Sequence, residues 1–181
     1  MNIFYLHNDP KTCAELHNDK HVVKMILEYA QLLSTAHRVI DGVPSVDRGT
    51  RTGRQRTSYI LSDSRDDVLY RATHINHPSA VWVRVRESHY RWLFCLWVSL
   101  MDEYTHRYGK IHASSRLVGY LSKPPNNIEY GGGFDQPTPA MPDEYKVPGN
   151  SLRSYINYYV GAKKHLASWK KRKTPEWFTY A

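Results

Sequence analysis

Between Ser79 and Tyr108 the apolar residues Val81, Val85, Trp92, Leu93, Leu96, Trp97, Leu100 and Tyr104 recur at the three- and four-residue spacing of one helix face. A pattern of that length predicts a central core helix, stopped by Gly109. A second helical period runs from about Pro10 to Val39. Asp9 caps it with Pro10 at the first helical position, and Asp41-Gly42 closes it. Around this pair the sequence predicts a helix from Asp63 or Ser64 to about Ile75, a weaker one from Ile111 to Leu121, and a last one from Asn150 or Ser151 to about Lys171. His77-Pro78 punctuates the chain before the central helix.

The remaining stretches read as irregular. Residues 2–6 are short and apolar and favour a buried extended segment. Residues 43–64 read as a long basic loop carrying Arg48, Arg51, Arg54 and Arg56. Residues 123–149 hold six prolines and the run Gly131-Gly132-Gly133, which cannot sustain regular structure but can drape over a domain. With 181 residues, 41% hydrophobic content and no internal repeat, the expectation is a mainly α fold: one compact helical domain over residues 1–181 with long basic and Pro-rich loops.

Charge narrows the partner. Lys and Arg number 25 against 17 Asp and Glu, giving +8, which points to a polyanion such as nucleic acid or a nucleotide. Only Cys13 and Cys95 are present, without metal-knuckle spacing, so a reducing compartment is the simpler reading, with a single Cys13–Cys95 bridge left open. The longest apolar run, Trp92 to Met101, falls well short of a membrane span, and Met1 to Leu6 lacks the basic start of a signal peptide. The expectation is a monomeric cytoplasmic protein with no membrane partner.

The first helix carries the chemistry. At about 100° per residue, His17, His21, Lys24, Glu28 and Gln31 share one side, while Val22, Val23, Ile26, Leu27, Ala30 and Leu33 supply the side that packs. Such groups in register resemble a set collected around a substrate; the plainer alternative is a solvated face with one or two satisfied histidines. An amine at Lys20 or Lys24 is able to form a Schiff base, Glu28 or Asp19 to stabilise an oxocarbenium-like sugar, and His21 to move protons near neutral pH. His17 and His21 also have the four-residue spacing of a helical metal pair. However, Asp19 points to the far side, and a third ligand must come from His7, His74 or His77, so no metal or cofactor is expected. Candidate nucleic-acid contacts are the arginines of the basic loop together with Arg84, Arg86, His77 and His17. The tail, Lys170 to Lys173 followed by Trp177-Phe178, either grips a backbone or closes the core.

Several segments together resemble a phage-encoded family often labelled pyrimidine dimer DNA glycosylase, distantly similar to phage endonuclease V. They are Met1-Asn2-Ile3-Phe4, Asp19 to Met25, Ala30 to His37, His74-Ile75-Asn76-His77-Pro78 and Thr174 to Phe178. The resemblance implies a small helical enzyme that flips a nucleotide, attacks the sugar C1′ with the α-amine of its N-terminal residue and cleaves the strand after a Schiff base forms. Lys20, His21 and Lys24 would then occupy the positions of a basic residue, the catalytic glutamate and a second basic residue, with His21 in place of the carboxylate. Because Asn2 is bulky, Met1 is expected to remain, so the family's small N-terminal nucleophile is absent, and the candidate amines are the Met1 α-amine, Lys20 and Lys24. The expected function is a DNA glycosylase and AP lyase acting on a damaged or modified base. The alternatives are a nucleotide-hydrolysing or nucleotide-modifying enzyme on a related scaffold and a non-catalytic nucleic-acid or nucleotide-signal binding protein.

Overall fold

The computed structural model describes residues 1–48 and 55–179. The first predicted helix is two: α1, Pro10–Leu16, and α2, Asp19–Asp41. The break arises because Asn18 acts as a cap, its side chain accepting the His21 amide at 2.9 Å while its backbone stays extended. Asp9 caps α1 through Thr12, with Pro10 in the first turn as the sequence predicts, and Gly42 ends α2.

The predicted central helix also divides, into α4, Pro78–Val85, and α5, Glu87–Tyr108. Arg86 between them is extended, and the Glu87 amide donates to the Glu129 carbonyl at 2.9 Å instead of continuing the helical ladder. Gly109 closes α5 in the left-handed conformation, φ 65°. α5 packs against α1 and α2, and α4 against α2 and α5. At the crossing of α2 and α5 the buried Trp97 indole donates to the Ile26 carbonyl at 2.9 Å. Around it the fully buried Met25, Tyr29, Leu32, Leu33, Leu93, Leu96 and Leu100 form the core. Val23 and Leu27, expected on the packing side, are each 41% exposed, because the buried stripe of α2 centres on Tyr29.

Residues 43–60 are not a loop throughout. β1, Val43–Arg48, pairs antiparallel with β2, Gln55–Ile60, in the register Val43 with Ile60 and Pro44 with Tyr59. The helix predicted from residue 63 to 75 is one turn, α3, Arg65–Val68. Arg38 explains the early stop. Its buried guanidinium takes the carbonyls of Asp66, Leu69 and Tyr70 as well as that of Tyr59, and those acceptors are then lost to a longer helix. The segment after α3 therefore runs extended along α2, with Thr73 bonded to Thr35.

Ala113–Leu117 is a 3-10 turn leading into α6, Val118–Leu121. Residues 123–149 then drape over the domain, as expected, with one 3-10 turn at Asp143–Tyr145. The strap is fastened at Gly133, whose carbonyl accepts from Arg86 and Ser88, and at Asp135, whose carbonyl accepts from the Trp82 indole. Gly132 at φ 76° has the Arg86 guanidinium 3.0 Å from where a Cβ would stand, so both conformation and space favour glycine. The last long helix, α7, is Ser151–Val160 and stops well short of Lys171: the Gly161 amide makes its final helical bond, to Asn157, and the chain then turns into a 3-10 segment, Lys164–Leu166. The tail ends in a short helix, α8, Glu176–Thr179, and it closes the core: Trp169 is buried and its indole donates to the Leu16 carbonyl. Cys13 and Cys95 are free thiols, one buried and one exposed, so the bridge does not form. Among the described residues no helix is long and apolar enough to cross a membrane.

Candidate functional site

The N-terminal strand, residues 2–6, carries Met1 onto the polar flank of α2. There the Met1 amine lies 3.7 Å from one oxygen of Glu28, and the Lys24 ammonium lies 3.1 Å from the other. Glu28 is 14% exposed while Lys24 is 69% exposed, so the carboxylate is sheltered and one of its two cationic neighbours is free to reach outward. Two unlike amines on one carboxylate form an arrangement in which a proton can pass between them.

His77 stands at the head of α4, which packs against α2. It caps α4, its Nδ1 accepting from the Ser79 amide at 3.2 Å, so the neutral ring carries its proton on Nε2. Its pKa is lowered first by burial and then by the Met1 amine and His74, while Glu28 acts in the opposite sense. Burial therefore disfavours the imidazolium form. His74, at the start of the turn that delivers His77, has φ 49°, a conformation uncommon outside glycine, and its carbonyl accepts from the His77 amide at 2.8 Å.

The other sequence candidates on this helix lie elsewhere. His17 is fully buried, bonded through Nδ1 to the Cys13 carbonyl at 2.7 Å and through Nε2 to the Tyr29 hydroxyl at 3.3 Å. It precedes α2 rather than lying on its face. His21 is stacked on Phe4 with ring centroids 4.1 Å apart and bonds the Tyr159 hydroxyl at 2.6 Å. Burial lowers the His17 and His21 rings to about 4 and about 3. Both are packing groups of the core, and neither His17 nor His21 is arranged with a third ligand around a metal among the described residues.

Asp19 is the hub of a different network. It accepts from Arg107 at 2.9 Å, from the Ser168 hydroxyl at 2.6 Å and from the Lys170 amide. Burial alone raises its carboxyl, but these donors together hold it below the ordinary range. Arg107, fully buried, also binds Glu103, which binds Arg172 in turn, so the cluster clamps the C-terminal tail to the start of α2. Lys20 is exposed and takes part in none of the ion pairs among the described residues.

Four of the candidate nucleic-acid contacts are engaged internally: His17 is fully buried, His77 caps α4, Arg84 donates to the Ile75 and Ala80 carbonyls, and Arg86 donates to Gly133 beside Asp135. Arg51 and Arg54 lie outside the described residues, and Arg48 and Arg56 occupy strand positions flanking them. Beside the hairpin a cleft of about 460 Å³ is lined by Arg38, Tyr59, Asp67 and Arg71 among others. Arg38 is ten residues along α2 from Glu28, about 15 Å at the helical rise, so this cleft is separate from the amine and carboxylate.

The sequence pointed to both Met1 and Glu28 but not to their meeting, which depends on how residues 2–6 cross α2. The one local hint is Tyr29, the neighbour of Glu28, whose hydroxyl accepts the Phe4 amide at 3.0 Å. No protein-family model, curated protein or solved structure matches this chain.

Proposed function

We propose that the protein is a DNA glycosylase and AP lyase that acts on a damaged or modified base, with the Met1 α-amine as nucleophile and Glu28 as its proton-transfer partner. The observation that carries this reading is the 3.7 Å approach of the amine to a sheltered carboxylate. Its other supports are the net charge of +8, suited to a phosphate backbone, and the resemblance of the sequence to the phage glycosylase family.

The chemistry follows from the geometry. Glu28 takes a proton from the α-ammonium, and the freed amine attacks C1′ of the sugar. The C1′–N bond to the base breaks, with the electron pair leaving on the base and a proton returned to it. At a site that has already lost its base, the same amine adds to the C1′ aldehyde and water is expelled. In the first route the C1′–O4′ bond then opens, the nitrogen losing its proton and O4′ taking one, so that both routes end in an imine. Removal of a C2′ proton by Glu28 then expels the 3′ phosphate and cuts the strand, and water hydrolyses the imine to restore the amine. Lys24, mostly exposed, is placed to meet a phosphate as it approaches Glu28, and the basic stretch with Arg48, Arg51, Arg54 and Arg56 supplies further backbone contacts.

The test is strand scission. Protein with its amino terminus at Met1 is incubated with duplexes carrying one abasic site, a thymine dimer or modified pyrimidines, with an undamaged duplex as control. The expected result is cleavage at the abasic site without added metal, leaving a 3′ unsaturated aldehyde and a 5′ phosphate. An intact abasic duplex after prolonged incubation contradicts the reading.

A further inference from the structure

Residues 3–6 are buried and pair with neither β1 nor β2, so their backbone groups turn to side chains for partners. The Phe4 amide donates to the Tyr29 hydroxyl at 3.0 Å. The Leu6 amide donates to the Cys13 sulfur, and the Cys13 thiol donates to the Phe4 carbonyl, both at 3.3 Å. These contacts hold the strand that ends in the Met1 amine.

The direction of the tyrosine hydrogen bonds is determined. The Cys13 carbonyl can only accept, so His17 donates to it through Nδ1–H, and its Nε2 is left as an acceptor for the Tyr29 hydroxyl proton. The hydroxyl oxygen is then open to the Phe4 amide. His17, Tyr29 and Cys13 are all fully buried, which removes water as a competing partner. Tyr29 follows Glu28 directly in α2. Consecutive helix residues thus grip the strand at two points, Tyr29 at Phe4 and Glu28 at Met1.

We propose that Tyr29, oriented by His17, is a positioning residue that sets the Met1 amine against Glu28; the proposal rests on reading that pair as the reacting amine and its carboxylate. Residue 4 is only three residues from the amine, so a change in how its amide is held is transmitted directly to the reacting atom. A displacement of about 1 Å is enough to cost about a hundredfold in a positioned reaction. The hydroxyl acts through the strand and does not touch substrate.

The test uses Tyr29→Phe, which keeps the ring and removes the hydroxyl, and Tyr90→Phe as a control. Tyr90 is an equally buried tyrosine whose hydroxyl bonds His37 and the Leu121 carbonyl in another part of the core. The α-amine is reductively methylated with a carbon-13 label and its resonance recorded with Glu28 and with Glu28→Gln, in each background. In the native chain and in Tyr90→Phe, Glu28→Gln is expected to move the resonance; in Tyr29→Phe the displacement vanishes. On abasic duplex, Tyr29→Phe is expected to lower turnover about tenfold to a hundredfold with KM within about twofold. Should Tyr29→Phe not fold, His17→Gln is measured in its place, with the same loss of coupling expected. A Glu28-dependent displacement that persists without the hydroxyl, or that disappears equally in Tyr90→Phe, overturns the proposal. Because the resonance requires no catalysis, an inactive native protein with an intact coupling contradicts the lyase reading and leaves the positioning role standing.

Discussion

Glu28→Gln is expected to lower scission of an abasic duplex by about a hundredfold or more, the range for loss of a positioned acid–base group. The substitution keeps the size and most of the hydrogen-bonding capacity of the side chain and removes its charge and its ability to take a proton from the Met1 ammonium. The two ion pairs of Glu28 differ in setting: Met1 and the carboxylate are both sheltered, 6% and 14% exposed, while Lys24 is largely exposed. Loss of the Lys24 pair should matter little, and loss of the sheltered Met1 pair should lower stability by about 1 to 3 kcal/mol, leaving the protein folded. Folding free energy from urea titration and single-turnover scission therefore separate the two roles. Full activity in a folded Glu28→Gln protein would remove the carboxylate from the mechanism.

The second large effect is the response of the fold to acid. His17, His21 and His37 are buried, and burial lowers their pKa values to about 4, 3 and 4. In the unfolded chain these rings titrate near the ordinary value of about 6.5. Each folded-state pKa lies below its unfolded value, so above pH 6.5 both states are neutral and the full stability is present. As pH falls from about 6.5 toward 4, the unfolded chain takes up protons that the folded chain refuses. Each ring then removes up to about 1.4 kcal/mol per pH unit, or about 4 kcal/mol per unit for the three together. Urea titrations at pH 7.5 and 5.5 should differ by several kcal/mol. Equal stability at the two pH values would mean that these rings are not held neutral in the core.

The network around each ring explains the refusal. Nδ1 of His17 must donate to a carbonyl and its Nε2 must accept from Tyr29; protonation of Nε2 would set two donors against each other. At His37 the Tyr90 hydroxyl donates to the Leu121 carbonyl, so Nε2–H donates to Tyr90 and Nδ1 accepts from Arg65. A proton there would face a guanidinium directly.

Much of the fold is legible in the helical period of the sequence, because a stripe of apolar residues with a capping signal at one end and glycine at the other has few ways to be satisfied. The breaks at Asn18 and Arg86 are less legible. Each is decided by one hydrogen bond, the Asn18 side chain to the His21 amide and the Glu129 carbonyl to the Glu87 amide, and the second joins residues 42 positions apart in sequence. The short α3 has the same kind of cause, since the arginine that takes its carbonyl acceptors lies on α2. Helical spacing also placed His17 and His21 with the polar groups. What spacing cannot show is that Phe4 and Tyr159 cover that part of the face. Glu28 and Lys24 stayed polar and reachable because the strand passes beside them and brings its amino end there. His77 was visible as a residue before proline, but its place at the head of α4 comes from the segment after α3, which is tied to α2 at Thr73 and turns at His74.

The central claim is that the Met1 amine forms a covalent imine with the sugar, and reductive trapping tests it most directly. Protein and abasic duplex are mixed with borohydride, the crosslinked species is digested, and the adducted peptide is sequenced by mass spectrometry. The account predicts a single adduct on the Met1 α-amine, strongly reduced in Glu28→Gln and present in Lys20→Ala and Lys24→Ala. An adduct on Lys20 or Lys24, or efficient scission with no adduct at all, would contradict it, the latter result pointing to hydrolysis by an activated water.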